Sequence, residues 1–284
     1  MTIPRGKVRR TVICWAALSP LIVLVLFPYA VMLSTALKTT PEVMSYPPHW
    51  LPHHWSLESF PAMWRQAHLG TAVTNSIIIA GGSVLLGLCV SVPAAYAMAR
   101  LHFYAKPAYR GFLLVTQMLA PVLLILGLFR LAASIPFGDG TLVNTRIGVI
   151  LIYAAFHIAF SVWMLSAYFS AIPQDIEEAA WIDGCGRLQA VWHMFIPLAM
   201  PAIAVSAIVA FVAGWNEYIV ALTMLRDPSK QTLTLQVVNL VAGRYSITWN
   251  QVMAAALVAT VPVAVVFAGL QRYLVRGLTL GAVK

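Results

Sequence analysis

Six stretches of this chain run without a single Asp, Glu, Lys or Arg: Thr11 to Leu37, Gln66 to Ala99, Gly111 to Phe129, Ile147 to Gln174, Leu188 to Asn216 and Tyr245 to Gln271. Crossing about 30 Å of hydrocarbon as a helix takes about 20 residues, so each stretch can hold a span. Continuous runs, in place of alternating segments of about ten residues, favour helices over a barrel. Only 10% of the 284 residues are charged and 61% are hydrophobic, so water is not the solvent for most of the surface. The pattern predicts an all-α integral membrane protein with six transmembrane helices, at about 11–37, 72–99, 111–130, 147–170, 197–224 and 250–272. No repeat or second domain interrupts it, and 1–284 reads as one transmembrane domain.

The first run follows Arg5, Lys7, Arg9 and Arg10, as a secretion signal would. Its uncharged length exceeds the roughly 7 to 15 residues of a signal core, which makes it an uncleaved span. Cys14 and Cys89 fall within spans and Cys185 outside them, so no disulfide pair is expected. Six spans put both termini on one side. That side collects Arg100, Lys106, Arg110, Arg187, Arg272, Arg276 and Lys284 besides the four basic residues at the start, the majority of the 18 Lys and Arg. Positive charge marks the cytoplasmic face and predicts cytoplasmic termini. It also accounts for a pI near 9.7 without nucleic acid.

Between the first two spans an outer loop carries His49, His53 and His54 among Pro47, Pro48 and Pro52. The prolines break the helical spacing of a zinc site, and Trp50 and Trp55 suit an interfacial belt. No metal is expected. The inner loop RLHFYAKPAYR, residues 100–110, is basic and aromatic; it suits anionic membrane lipid, but an ordinary positive-inside loop with an interfacial Tyr is the favoured reading. The chain has no Gly-x4-Gly-Lys-Ser/Thr loop to cradle a nucleotide, and no motif of hydrolytic or metal catalysis. It is not expected to be an enzyme.

One short segment departs from the apolar pattern. Beyond Ile172, Pro173 suits a first helical position, Asp175, Glu177 and Glu178 put carboxylates in the first turns, and Gly184 ends the helix. A helix over about 173–184 is too short and too charged to span. Ile176, Ala179, Ala180, Trp181 and Ile182 give it one small apolar side, with Glu177, Glu178 and Asp183 on the rest. It is placed on the cytoplasmic face, where its acidity suits a basic protein partner better than anionic lipid.

The pattern Glu178-Ala179-Ala180, three residues, Gly184, nine residues, then Met194, Ile196 and Pro197 resembles the signature loop of permease subunits of binding-protein-dependent ABC importers. Met194 and Ile196 stand where Ile and Leu are usual. TNSIIIA, AAYAMARLHF, TLVNTRIGVIL, WNEYIVAL and QRYLVRGLTLGAVK extend the likeness to the carbohydrate branch, the group that includes the smaller permease of the maltose transporter. Ala159 departs from it, at a position often held by Pro. The resemblance implies a second, usually different permease, two ATPase subunits that bind ATP and Mg, an extracytoplasmic solute-binding protein and a carbohydrate substrate. It implies no cofactor on this chain. The acidic helix would be the coupling helix, with Glu177, Glu178, Ala179, Ala180, Asp183, Gly184 and Pro197 engaging an ATPase. Alternating access needs hinges, and Pro197 and Pro201 opening the fifth span, with Pro93 and Pro262 in the second and sixth, are the candidate places; for Pro93 and Pro262 an ordinary membrane proline is an equal alternative.

Glu217 should sit near the outer end of the fifth span beside Trp215, Asn216 and Tyr218. Aromatic faces with amide and carboxylate groups bind sugar hydroxyls, and the same residues also make an ordinary interfacial belt. With His157 of the fourth span they are the candidate substrate path. The competing function is a self-sufficient secondary carrier, which needs ionisable groups at mid-membrane; Glu217 and His157 are its only candidates.

Overall fold

The structure is a computed structural model and describes residues 5–66, 68–138, 140–242 and 248–281. Tyr245, which opens the sixth uncharged run, and the basic Lys284 lie outside them. Most of the described residues are helical. The order is α1 (Arg5–Ala36), α2 (Thr40–Val43), α3 (Ser59–Gln66), α4 (Leu69–Arg100), α5 (Lys106–Met118), α6 (Pro121–Ser134), β1 (Pro136–Phe137), β2 (Gly140–Thr141), α7 (Arg146–Ser170), α8 (Gln174–Ile182), α9 (Arg187–Ala190), a π-helical turn Val191–Phe195, α10 (Ile196–Leu198), α11 (Met200–Asn216), α12 (Ile219–Met224), a 3-10 turn Pro228–Lys230, α13 (Leu233–Val241) and α14 (Trp249–Gly281).

Among the described residues four helices are long and apolar enough to cross a membrane: Arg10–Ala36, Leu69–Arg100, Arg146–Ser170 and Trp249–Gln271. Two further pairs qualify together but are bent, Lys106–Met118 with Pro121–Ser134 by 102° and Val191–Leu198 with Met200–Asn216 by 72°. By length and composition the described residues hold up to six spans if each bent pair is one. The third predicted span is therefore broken where a straight helix was expected. Ala120, just before Pro121, takes an extended ψ of 128°, because the proline ring disfavours helical geometry in the residue before it. In the fifth, the break falls at Ala199, between Pro197 and Pro201. Pro93 and Pro262, candidates to interrupt their spans, instead lie inside the unbroken α4 and α14. A proline removes one backbone hydrogen bond, and neighbouring groups in a membrane helix accommodate that loss.

The chain divides into two compact units, 1–69 with 237–260, and 70–236 with 261–284. In the first, the segment after α1 folds back on it. Ser34 Oγ donates to the Trp50 carbonyl at 2.5 Å, Lys38 Nζ to the His49 carbonyl, and Asn250 Nδ2 to Lys38 O at 3.3 Å and Thr40 Oγ1 at 3.2 Å. Glu42 Oε1 accepts the His53 N–H at 2.6 Å, and that backbone bond holds the Glu42 carboxyl below its ordinary pKa of 4.5. His49 and His53 meet edge to face with centroids 4.4 Å apart. Among the described residues no group of three or more His, Cys, Asp or Glu is placed to hold a metal ion.

In the second unit α7 is central and packs against α5, α6, α11 and α12. Towards its start, Val149, Ile152 and Tyr153 join Ile79 of α4 and Val220, Ala221 and Met224 of α12 in one buried cluster. Towards its end, Leu165 and Phe169 join Val92, Ala95 and Tyr96 of α4 with Val191, Phe195, Ala199 and Ala202 in another. A buried bond from Ser206 Oγ to Ser161 Oγ, 2.8 Å, ties α11 to α7. Small residues at such crossings let membrane helices approach closely.

Candidate functional site

The acidic helix forms as α8, nine residues with Asp175 and Glu177 in its first turn and Pro173 just outside it in an extended conformation (φ −56°, ψ 141°). Carboxylates there face the partial positive charge of the unsatisfied N–H groups. Its end is closed by two crossed bonds, Gly184 N–H to Trp181 O at 3.0 Å and Cys185 N–H to Ala180 O at 2.9 Å. Gly184 takes φ +82°, the left-handed turn this closure requires and that a residue without Cβ adopts freely.

The predicted apolar side of this helix does not face the rest of the chain. Of its apolar residues only Ala180 turns inward, whereas Ile176, Trp181 and Ile182 are exposed, Ile182 by 86%. The residue that joins Ala180 inside is Glu177, 5% exposed. Its burial is possible because partners await it on α4. Arg100 Nε stands 3.1 Å from Glu177 Oε2, and Tyr96 O–H donates to Oε1 at 2.7 Å. Arg100 Nη2 also donates to the Ile172 carbonyl at 2.5 Å, in the link before α8. The guanidinium lies over the Phe195 ring, 5.2 Å from its centroid, and Phe195 meets Tyr96 at 5.0 Å and Phe169 at 5.5 Å, both edge to face. Opposite charge, a phenol donor and an aromatic face together offset the desolvation of two buried ions.

Of the residues expected to engage a partner, Glu178, Ala179, Asp183 and Gly184 are exposed, while Glu177 and Ala180 are directed inward. Pro197 lies in α10, at the bend before α11. Tyr96 and Phe195 were not singled out in the sequence, and Arg100 was noted there only as a basic loop residue. Tyr96 and Arg100 are four residues apart and so share one face of α4, but a single sequence carries no signal that this face meets position 177.

The candidate substrate-path residues do not form one polar surface. Glu217 sits where α11 stops (φ −69°, ψ 127°). Its Oε1 accepts the N–H groups of Ile219 and Val220, each at 3.0 Å, and its Oε2 those of Val220 at 3.0 Å and Ala221 at 3.2 Å. Tyr153 O–H adds a bond to Oε2 at 2.9 Å. The carboxylate thus caps α12 and satisfies backbone donors that a helix start leaves open. Trp215 is buried, stacked on Phe211 at 5.6 Å, with its carbonyl accepting from Thr234 Oγ1 at 2.6 Å. Asn216 is exposed, Tyr218 is half-buried against the cluster of Val220 and Tyr153, and His157 is half-buried on α7, one turn beyond Tyr153. Near that end, Asn75 Nδ2 holds the Ser229 and Gln231 carbonyls, both at 2.9 Å, and Ser76 Oγ accepts the Leu233 N–H at 2.8 Å. These contacts fix the loop at 229–233 to the start of α4.

The basic loop after α4 lines an open groove of about 740 Å³ formed by His102, Phe103, Tyr104, Lys106, Arg110 and Leu114 with their neighbours. Cationic tips beside aromatic rings suit the headgroup region of a membrane.

Similarity to known proteins bears on the same features. Residues 87–280 match the family described as "Binding-protein-dependent transport system inner membrane component", a range that includes α8 and its Arg100 partner. The chain is 33% identical over 268 residues to the sulfoquinovosyl glycerol transport system permease protein SmoH of Agrobacterium fabrum, covering 94% of this chain and 92% of that one. It is 33% identical to the melibiose/raffinose/stachyose import permease protein MelC of Bacillus subtilis, covering 90% and 91%. It is 30% identical to the trehalose/maltose transport system permease protein MalG of Thermococcus litoralis, covering 92% of each chain. The fold matches a chain of a bacterial ABC transporter involved in the import of the acidic polysaccharide alginate, with a TM-score of 0.79 at 21% identity over 96% of this chain and 99% of that one. By sequence and by fold, the chain belongs to the family of inner membrane components of binding-protein-dependent transport systems.

Proposed function

We propose that this chain is a transmembrane subunit of an ABC importer that moves a carbohydrate, an oligosaccharide, monosaccharide or related polyol, by alternating access. The observation that carries the reading is the two-sidedness of α8. Its inner side is tied to the spans through Glu177, and its outer side, with Ile176, Trp181 and Ile182 beside Glu178, is uncovered. An exposed apolar face rimmed by charge is what a protein partner covers. In this reading the partner is an ATPase subunit, one of two, and ATP and Mg are bound there and not by this chain. A second permease and an extracytoplasmic solute-binding protein complete the assembly, the whole chain acts as one transmembrane domain of six spans, and both termini are cytoplasmic.

The carbohydrate class is supported by relatives named for sulfoquinovosyl glycerol, for melibiose, raffinose and stachyose, and for trehalose and maltose. Their diversity leaves the individual sugar to experiment. The test is reconstitution in proteoliposomes with and without the partner subunits, followed by uptake and ATP hydrolysis across a sugar panel. ATP-dependent uptake should need the ATPase and the binding protein. Ion-gradient-driven uptake by this chain alone would replace the importer with a secondary carrier.

A further inference from the structure

We infer that Arg100 and Glu177 are a positioning pair that fixes the rotation of α8 against α4, so that displacement of the surface helix is passed to the spans without slip. The inference rests on the reading of α8 as the ATPase-docking helix and adds the means by which that helix is held.

Glu177 neighbours the motif residue Glu178, yet the two carboxylates face opposite ways, one buried at 5% exposure and one exposed. Arg100 grips the α8 region at two points. Its Nε meets Glu177 within the helix, and its Nη2 meets the Ile172 carbonyl in the preceding link. One directed hydrogen bond from Nη2 and one charge contact at Nε, made by the same rigid guanidinium, restrain rotation more than an apolar patch does. The same guanidinium rests on Phe195 in the π-helical turn that leads into the bent fifth span. One side chain of α4 therefore joins the surface helix, its link to α7 and the segment leading towards α11. α8 is only nine residues long, too short to hold its orientation by helix propensity alone. Without the pair it would keep its exposed face but could roll beneath its partner.

The test uses the full chain in lipid nanodiscs, with spin labels on the exposed native Cys89 of α4 and on Ile182→Cys, and with Cys14 and Cys185 replaced by Ala. The Arg100→Met/Glu177→Leu double variant removes both ions together, so no unpaired charge is left buried to block folding. Arg100→Lys keeps a charge but loses the fork. The inter-label distance distribution should be narrow in the parent and broader by about twofold in both variants. Unchanged widths in both would overturn the inference.

In the assembled transporter, the double variant should retain its ATPase subunits while the solute moved per ATP hydrolysed falls about tenfold. An unchanged ratio would overturn the transmission role. The underlying docking reading fails by a different sign: ATPase co-purification unaffected by Glu178→Ala.

Discussion

Single residues at α8 carry separable tasks. Gly184 holds φ +82°, so Gly184→Val forces a β-branched residue into the left-handed region at a cost of about 1 to 3 kcal/mol and misdirects the helix end. Glu178→Ala removes an exposed carboxylate from the uncovered face and, where that group meets a basic residue of the ATPase, weakens docking by about 2 to 5 kcal/mol. Both variants should insert and pair with the second permease while ATPase co-purification falls, read by pull-down from membranes. Glu217 behaves differently. Replacing its carboxylate by Gln removes one of the two oxygens that cap α12, costing about 1 to 2 kcal/mol. Glu217→Gln should lower the unfolding temperature of the detergent-solubilised chain and leave ATPase association intact. The acidic stretch was legible in the sequence, and so was the need for Gly184. The inward turn of Glu177 was not, because a carboxylate reads as a surface group until its counter-ion, 77 positions earlier in the chain, is known to lie beside it.

At the scale of elements, uncharged length anticipated long apolar helices but did not reveal the bends at 119–120 and 199. Proline gave an unreliable signal. Pro121 begins a new helix while Pro93 is absorbed by its own, and the difference lies in tertiary packing that one sequence does not record. The two short strands Pro136–Phe137 and Gly140–Thr141 lacked any alternating pattern long enough to predict. The sequence blocks behind the family resemblance now have physical roles: TNSIIIA supplies Asn75 and Ser76, which hold the loop at 229–233, and AAYAMARLHF supplies Tyr96 and Arg100. The outer segment after α1 should respond to acid. The bond from His53 N–H depresses the Glu42 pKa below 4.5, so its stabilising contribution is present above that value and is lost as pH falls through the lower, folded-state pKa. Hydrogen exchange at the His53 amide, corrected for intrinsic rate, should lose protection only below pH 4.5; equal protection above and below would show that the carboxylate does not hold this loop.

For the whole molecule, the proposed orientation, with cytoplasmic termini, rests on the excess of Lys and Arg on their side. Ser56→Cys and Ser229→Cys should react with an impermeant thiol reagent added to intact cells. The native Cys185, next to Gly184, should react only once the inner face is opened and the ATPase stripped. Labelling of Cys185 from outside would invert the topology.

The uncovered side of α8 also bears on how a cell balances the parts of such an assembly. In a chain made without its partner, Trp181 and an 86% exposed Ile182 face water, and apolar surface in water is what chaperones and proteases recognise. With α8 as the proposed ATPase-docking helix, an orphan copy would carry its own degradation mark, which binding of the ATPase would erase. Expressed alone, the chain should therefore turn over faster than in the presence of its ATPase, and Ile182→Ser should lengthen the orphan's half-life in a pulse-chase measurement. In that sense the docking face doubles as a gauge of stoichiometry.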